Sequence, residues 1–424
     1  MRRRSFLGAL GASLLLPLGG RSYALSGSAS ASGKNRFLFI HCTGGWDQFM
    51  VFNPRFDAGT IMRSEQESTA VAAQVNGLPF VDHPDRAQVR NFLEDFGDQT
   101  AFLHGMEVRS VAHDVCRRLL LTGSASPGSG DWGSRLSANS SVVAPMLVLS
   151  GPSYAGAYGT SVVRMGESGQ LVDLVDGSWQ SKAAPITQLP SETVQALEDQ
   201  FALSRAAAFQ ATALQPNAPN GQATLYGQTT LNAQQRVGEL SALAGLEPSS
   251  GRLLSETVEQ VLDLFQADQA MCAAVEYLGA GGLGFDTHAG NDVQSIHFNS
   301  LFTELNTICQ SLENRQDSTG ASLMESTTVV VFSEMARHPK LNFRGGREHW
   351  TYTPAMLIGS GIAGGRNIGG YTDSMQGEKV DLESGDSDPG GEALDPRHLG
   401  ATLMAIADQD PSQLGVPPIS ALLA

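Results

Sequence analysis

The chain has 424 residues, a formal net charge of -16 and 41% hydrophobic residues. This length is sufficient for one large α/β domain with insertions, or for two domains. A protein this acidic lacks the positive surface that binds nucleic acids and anionic lipids. We therefore expect no nucleic-acid partner.

The N-terminus has the three parts of a secretory signal. Three arginines at 2–4 precede an apolar run over 6–18, and Ser-Tyr-Ala at 22–24 is a suitable cleavage site. Adjacent arginines followed by Ser-Phe-Leu are typical of twin-arginine export. The apolar run is shorter than the roughly 20 residues that span a bilayer, and no later segment is long enough, so we expect no integral membrane segment in the mature protein. We expect a twin-arginine signal peptide over 1–24, a linker over 25–34 and a periplasmic or otherwise exported protein that uses the twin-arginine machinery.

Short apolar runs rich in β-branched or aromatic residues recur along the chain and predict buried parallel strands. They are Arg36–His41, Thr100–His104, Pro145–Leu149, Thr327–Phe332 and Ala355–Ile358. Apolar residues at helical spacing predict amphipathic helices between them, at Val89 to Phe96 and at Leu301 to Leu312. This alternation predicts an α/β fold, a doubly wound and mainly parallel sheet flanked by helices.

The middle of the chain differs in composition. Residues near 190–250 are rich in Ala, Gln, Ser and Thr and predict a helical insertion within one domain over 35–424. The four cysteines have no Cys-x-x-Cys spacing, which excludes a zinc ribbon or a thioredoxin motif. We expect four buried free thiols.

Polar residues that follow the predicted strands are the candidates for chemistry, because ligands of a doubly wound sheet bind beyond the carboxyl ends of its strands. The first run is followed by Gly-Gly-Trp and then Asp47. The fourth leads into Glu334, where a carboxylate is costly unless a cation or Arg337 pairs with it. A helix-capping Asp and a plain Glu-Arg ion pair are the alternatives.

A second group lies on two glycine-rich segments. Asp286 and His288 are two residues apart, so in an extended segment both can reach one metal ion. The alternative for this pair is an Asp-His hydrogen bond within a loop. His349 follows a Gly-Gly turn, and the alternative there is a packed or surface histidine. Asp47, Asp286, His288, Glu334 and His349 form a carboxylate and imidazole set that suits zinc or manganese better than calcium. Such ions activate water or polarise a phosphoryl or sulfuryl oxygen.

In this order the segments resemble the exported bacterial family called domain of unknown function 1501, which is similar to the alkaline phosphatase and sulfatase superfamily. The family's Gly-Gly-x-Asp, Ser-His-Phe, Phe-Asp-Thr-His, Ser-Glu-Phe-Gly-Arg and Gly-(Thr/Arg)-Asp-His segments read here as 44–47, 112–114, 285–288, 333–337 and 346–349. The resemblance covers most of the mature chain. It implies an alkaline-phosphatase-like fold, with Asp286, His288 and His349 as ligands of one metal ion and Asp47 and Glu334 nearer a second, if one exists.

The chain departs from the family pattern at the nucleophile. Ala112-His113 replaces Ser-His, so the expected hydroxyl is missing, and Ser110 lies two residues earlier. Met335 stands where alkaline phosphatases carry a ligand His, and no Cys-x-Pro-x-Arg sulfatase motif is present.

These features predict an exported metal-dependent hydrolase of phosphate or sulfate esters with one or two divalent ions. Ser110 or an activated water would attack a small or polymer-borne ester, His113 or His349 would assist proton transfer, and Arg337 would hold the anionic group. One alternative is a metal- or ligand-binding protein that has lost catalysis. Another is an exported assembly or cell-surface protein.

Overall fold

The structure is a computed structural model that describes residues 35–165, 243, 245–247 and 249–424. Its strands are β1 Arg36–Cys42, β2 Val71–Val75, β3 Leu78–Asp82, β4 Thr100–Glu107, β5 Ala144–Val148, β6 Val162–Arg164, β7 Ala270–Tyr277, β8 Thr327–Phe332, β9 Ala336–Leu341, β10 Arg347–Trp350, β11 Tyr352–Gly359, β12 Arg366–Ile368, β13 Lys379–Val380 and β14 Glu392–Ala393. Its α-helices are α1 Gln88–Phe96, α2 His113–Thr122, α3 Trp132–Leu136, α4 Leu254–Gln266, α5 Val293–Asn314 and α6 Pro396–Ile406.

Eight strands form the central sheet, in the order β12-β4-β11-β8-β1-β7-β5-β6. β1 pairs in parallel with β7 and β8, β5 pairs in parallel with β6 and β7, and β12 pairs in parallel with β4. β11 runs antiparallel to both of its neighbours, β4 and β8. The prediction of a mainly parallel sheet is confirmed.

Helices cover both faces of this sheet. Successive side chains of a strand point to opposite sides, so a strand of apolar residues packs against helices on both faces. On β1, Leu38 and Ile40 belong to a buried apolar cluster that includes side chains of α1, α4 and α5. Phe37 and Phe39 belong to a second buried cluster, together with side chains of α2, α3 and α6. The predicted doubly wound architecture is therefore confirmed, with β1 buried between its two layers.

All five apolar runs predicted as strands are strands in the structure. Four of them coincide with β1, β4, β5 and β8 to within a few residues. The fifth, Ala355–Ile358, lies in β11, and its prediction as a parallel strand is wrong. The chain reaches β11 from β8 through the β9–β10 hairpin instead of a covering helix. A strand that returns without such a crossover pairs antiparallel.

Strand β7 was not predicted, although it lies in the middle of the sheet between β1 and β5. Its sequence, Ala-Met-Cys-Ala-Ala-Val-Glu-Tyr, has a single β-branched residue, Val275. The neighbouring strands impose the extended conformation on a segment with weak strand preference of its own.

The two predicted amphipathic helices are confirmed as α1 and α5, and the apolar residues that define them are buried. The predicted signal, the linker and nearly all of the predicted helical insertion lie outside the described residues. Within the described part of the chain, no helix is both long and apolar enough to cross a membrane. All four cysteines are buried and free.

Candidate metal centre

The candidate residues converge at the carboxyl edge of the central sheet. Glu334 follows β8, and His41 is the second-to-last residue of β1. His113 is the first residue of α2, which follows β4, and His349 lies on β10. Asp286 and His288 come from the loop between β7 and α5. Elements distant in sequence therefore meet where a doubly wound sheet binds its ligands.

Gly44 allows the loop after β1 to pack against the segment that carries Asp286. Its φ is +113°, and a Cβ atom there would lie 2.5 Å from the backbone nitrogen of Asp286. A side chain at this position would clash with backbone, which cannot move aside cheaply. The Gly44 N–H group also donates to both carboxylate oxygens of Glu334, at 3.1 Å.

Three potential ligand atoms meet at the centre of the site. The Nε2 atoms of His288 and His349 are 3.0 Å apart, and they lie 3.2 and 3.1 Å from Oδ1 of Asp286. Ligands bound 2.0–2.2 Å from a tetrahedral zinc ion are separated by roughly 3.3–3.5 Å. The spacing of the three atoms is therefore close to that of a metal-binding triad.

The other ring nitrogen of each histidine fixes its tautomer. Nδ1 of His349 lies 2.7 Å from the backbone oxygen of Val111, and Nδ1 of His288 lies 3.0 Å from Oε2 of Glu348. Both partners only accept hydrogen bonds, so both Nδ1 atoms carry protons. In the neutral rings the two Nε2 lone pairs then face each other and a carboxylate oxygen. Such a set of acceptors requires a cation between them, a proton or a metal ion, and this donor chemistry fits zinc or manganese.

His113 completes this cluster from the opposite side. Its Nε2 atom lies 3.5 Å from Oδ2 of Asp286, and its ring packs edge-on against His349 at 4.6 Å. His113, Asp286 and His349 can each offer one ligand atom to the same ion. Hydrogen bonds to Asp286 and to Glu334 raise the pKa of His113 to about 9.

Asp286 is the most strongly paired carboxylate at the surface of the cluster. Its partial burial alone would raise its pKa, but hydrogen bonds from His113, His349 and Arg337 outweigh that effect and hold the pKa far below the usual range. These partners favour the ionised carboxylate, the form that a metal ligand must have.

Glu334 lies behind His113 and takes no part in the cluster of ligand atoms. The fully buried carboxylate accepts from Nδ1 of His113 at 2.8 Å and from Nε2 of His41 at 3.1 Å. Burial by itself raises the pKa of Glu334, but the hydrogen bonds from His113 and His41 hold it well below the usual value. Although predicted as a metal ligand, Glu334 is placed to orient His113, as carboxylates behind ligand histidines commonly do.

The structure does not bring Asp47 into the cluster. The carboxylate is fully buried, with Oδ1 accepting from the backbone of Phe49 and Oδ2 accepting from Asn291 at 2.6 Å. Arg347 forms an ion pair with the same oxygen at 2.7 Å. Both oxygens are thus engaged in holding the loop after β1 against the α5 entry and the β10 strand.

Arg337 is also placed differently from the prediction. Its fully buried guanidinium donates to Asp286 at 2.7 Å, to the backbone oxygen of Gly45 at 2.7 Å, and to the backbone oxygens of Gly44 and Arg347. Nearly all of its N–H groups are used. The side chain fixes Asp286 and has no free face with which to bind a substrate anion.

Ser110 lies just before α2, but its hydroxyl is turned towards the helix. The oxygen accepts a hydrogen bond from the backbone of Ala112 at 3.2 Å and contacts the thiol of Cys116. In the described part of the chain it forms no hydrogen bond to the cluster.

The sequence analysis did not select His41 as a site residue, although its position at the end of the central strand was the signal that could have identified it.

The fold and the site define an α/β protein with a carboxylate and imidazole centre at the carboxyl edge of a mainly parallel sheet. The chain belongs to the family described as Protein of unknown function (DUF1501), whose model matches residues 34–384. This confirms the family resemblance seen in the sequence, and the matched range includes every candidate residue. No curated protein matches the chain.

Three solved structures similar to the chain have low sequence identity. Ps i-CgsB in complex with k-i-k-neocarrahexaose has 8% identity and a TM-score of 0.40, with 91% of this chain and 75% of that chain covered. The integral membrane protein lipooligosaccharide phosphoethanolamine transferase A of Neisseria meningitidis has 11% identity and a TM-score of 0.39, with 91% and 56% covered. The phosphonate monoester hydrolase of Agrobacterium radiobacter has 11% identity and a TM-score of 0.31, with 91% and 74% covered. At TM-scores this low, these likenesses carry no argument about activity.

Proposed function

We propose that the protein is an exported, metal-dependent hydrolase of phosphate or sulfate esters. The observation that carries this proposal is the convergence of two imidazole nitrogens and one carboxylate oxygen, all within 3.2 Å of one another. Export rests on the twin-arginine pattern of the first residues.

Asp286, His288 and His349 would hold one zinc or manganese ion. A three-ligand site of this kind keeps coordination positions open, as catalytic sites do and structural zinc sites do not. The ion would supply Lewis acidity towards a phosphoryl or sulfuryl oxygen and would activate water. Arg337 holds Asp286 in place, and Glu348 and the Val111 backbone hold the two rings.

His113 would act as the proton donor in hydrolysis. Its Nδ1 side is fixed by Glu334, so its Nε2 atom faces the same space as Asp286. As the oxygen of water bonds to phosphorus or sulfur, that water loses a proton to solvent and the bond to the alcohol oxygen breaks. His113 would give the alcohol oxygen its proton.

A binding protein without turnover is the second candidate. It is favoured by the missing hydroxyl at Ala112 and by the hydrogen bond that turns Ser110 towards the helix backbone. The hydrolase requires both the metal ion and a rate on esters, whereas the binding protein requires a bound metal ion or another ligand and no rate.

The test is the metal content of the mature protein, measured by elemental mass spectrometry. We expect stoichiometric zinc or manganese in the wild type and none in an Asp286→Asn, His288→Ala variant. His338→Ala is the matched control, since His338 lies on β9 and packs on Trp350 outside the cluster. Thermal unfolding would verify that each variant is folded.

The outcomes separate the candidates. A folded wild type without metal would contradict the hydrolase. Metal in the wild type and the control, with turnover of aryl phosphate or aryl sulfate lost in the double variant, would support the hydrolase. Metal without turnover on either ester would favour the binding protein.

A further inference from the structure

The site as described lacks a group to bind the anionic part of a phosphate or sulfate ester. Arg337 is fully buried and its guanidinium is already bound to Asp286 and to backbone oxygens. Arg347 is likewise engaged with Asp47 and with backbone oxygens. A tetrahedral dianion beside the cluster needs a different cation, and charge-assisted hydrogen bonds from arginine are the usual solution.

Arg117 lies one helical turn after His113 on α2, so the two side chains share one face of the helix. Its Nε atom lies 3.5 Å from Oε1 of Glu334, the oxygen that accepts from His113. The guanidinium is thereby placed beside the proposed proton donor. About a quarter of the side chain (24%) is exposed, so solvent and substrate can reach it.

The existing partners of Arg117 leave most of its hydrogen-bonding capacity free. Nε is buried and has no hydrogen bond of normal geometry. Nη1 lies 3.6 Å from Asp114, whose carboxylate is almost fully exposed, and such pairs contribute little. No partner of Nη2 is found among the residues that the structure describes. Arg117 thus lies beside His113 with its Nη groups still able to donate hydrogen bonds, unlike the saturated Arg337.

The neighbouring arginines are less free to bind an anion beside His113. Arg118 stacks over the ring of Tyr154 at 4.3 Å, on another side of α2. Arg109 pairs with Asp395 at 3.3 Å and lies 3.8 Å from Glu107.

We propose that Arg117 binds the anionic phosphoryl or sulfuryl group of the substrate, next to His113. This assignment rests on the proposed hydrolase or ester-binding function and gives Arg117 the role that the sequence analysis predicted for Arg337. The planar guanidinium can donate two parallel hydrogen bonds to two oxygens of the group, which an ammonium cannot do.

The test measures binding of inorganic phosphate and sulfate to the mature protein by isothermal titration calorimetry, with the metal content of every sample determined. Arg117→Met should weaken binding of the preferred anion by roughly tenfold to a hundredfold, the effect of removing charge-assisted hydrogen bonds. Arg117→Lys should give an intermediate loss. Arg118→Met, the matched control, should bind within about twofold of the wild type, since its cation–π contact lies outside the anion site.

The readout is binding, so it does not depend on turnover. Wild-type affinity in Arg117→Met, with metal retained, would overturn the assignment and leave the hydrolase proposal standing. Failure of the metal-loaded wild type to bind either anion would also overturn it. Absence of metal from the wild type is the separate result that removes the proposed function itself.

Discussion

Glu334→Gln tests whether the buried carboxylate acts by orienting His113. The side chain keeps its shape in this variant but loses its charge and exchanges one acceptor oxygen for a donor. In the native site the carboxylate accepts from His113, His41 and the Gly44 N–H group. An amide can accept on one atom only, so at least one native donor would face the new NH₂ group.

The magnitude follows from burial. Removing one partner of a fully buried ion pair typically costs about 3–5 kcal/mol, and an isosteric amide that keeps some hydrogen bonds should cost about 2–3 kcal/mol. His113 can relieve the clash only by presenting a bare Nδ1 to the amide, which leaves a neutral ring. The imidazolium form that donates a proton would lose its carboxylate partner, and we expect kcat to fall about 10–100-fold.

Glu348→Gln is the matched control. Its carboxylate contacts Nδ1 of His288 at 3.0 Å in the same way, but the side chain is 60% exposed. Exposed pairs contribute about 0–1 kcal/mol, so kcat should fall by no more than a few-fold. Urea unfolding gives the stabilities, and turnover of an aryl ester by metal-loaded samples gives kcat. An unchanged kcat in Glu334→Gln, or a larger loss in Glu348→Gln, would refute the orienting role.

Two further predictions concern protons and the nucleophile. Hydrogen bonds to Asp286 and Glu334 raise the pKa of His113 to about 9 in the metal-free protein. A raised pKa stabilises the fold fully below the unfolded value near 6.5, so urea unfolding with a chelator present should show a loss of about 1 kcal/mol, after allowance for solvent screening, as the pH rises from 6.5 to 9. His113→Gln should abolish this loss, and a stability that rises over the same range would contradict it. Ser110→Ala should leave kcat within about twofold, because its hydroxyl bonds to the helix backbone; a fall of several orders of magnitude would instead make Ser110 the nucleophile.

The fold was largely predictable because its central strands have strong local signals. Thr327–Phe332, with three consecutive valines, coincides with β8 residue for residue. Two features were not predictable in the same way. β7 is an alanine-rich segment that becomes a strand through its neighbours, and the direction of β11 depends on the hairpin that precedes it. Both are set by tertiary context, which a local pattern does not contain.

The sequence predicted the edge of the sheet at which the candidate residues meet. It did not predict how deeply each side chain is buried. Asp286, His288 and His349 do meet, as expected from their glycine-rich segments. The ends of neighbouring strands lie close together regardless of the direction in which each side chain points. Asp47 and Glu334 follow strands just as clearly, yet both point into the protein and are fully buried.

Charge pairing explains which residues remain available. A buried charge must be compensated, and here the buried ones compensate one another or fix the cluster from behind. Asp47 pairs with Arg347, Glu334 with His113 and His41, and Arg337 with Asp286.

The candidate ligands and the proposed anion-binding group are the residues that this pairing leaves at the surface. His288 and Asp286 are 40% and 44% exposed, and Arg117, which is 24% exposed and faces Glu334 through Nε, has no partner for Nη2 among the residues that the structure describes. A motif of the family can therefore include a buried arginine or carboxylate whose role is structural. Partial exposure together with incomplete hydrogen bonding distinguishes the groups that can still meet a metal ion or a substrate, and on that criterion Arg117, not Arg337, is the arginine to replace first.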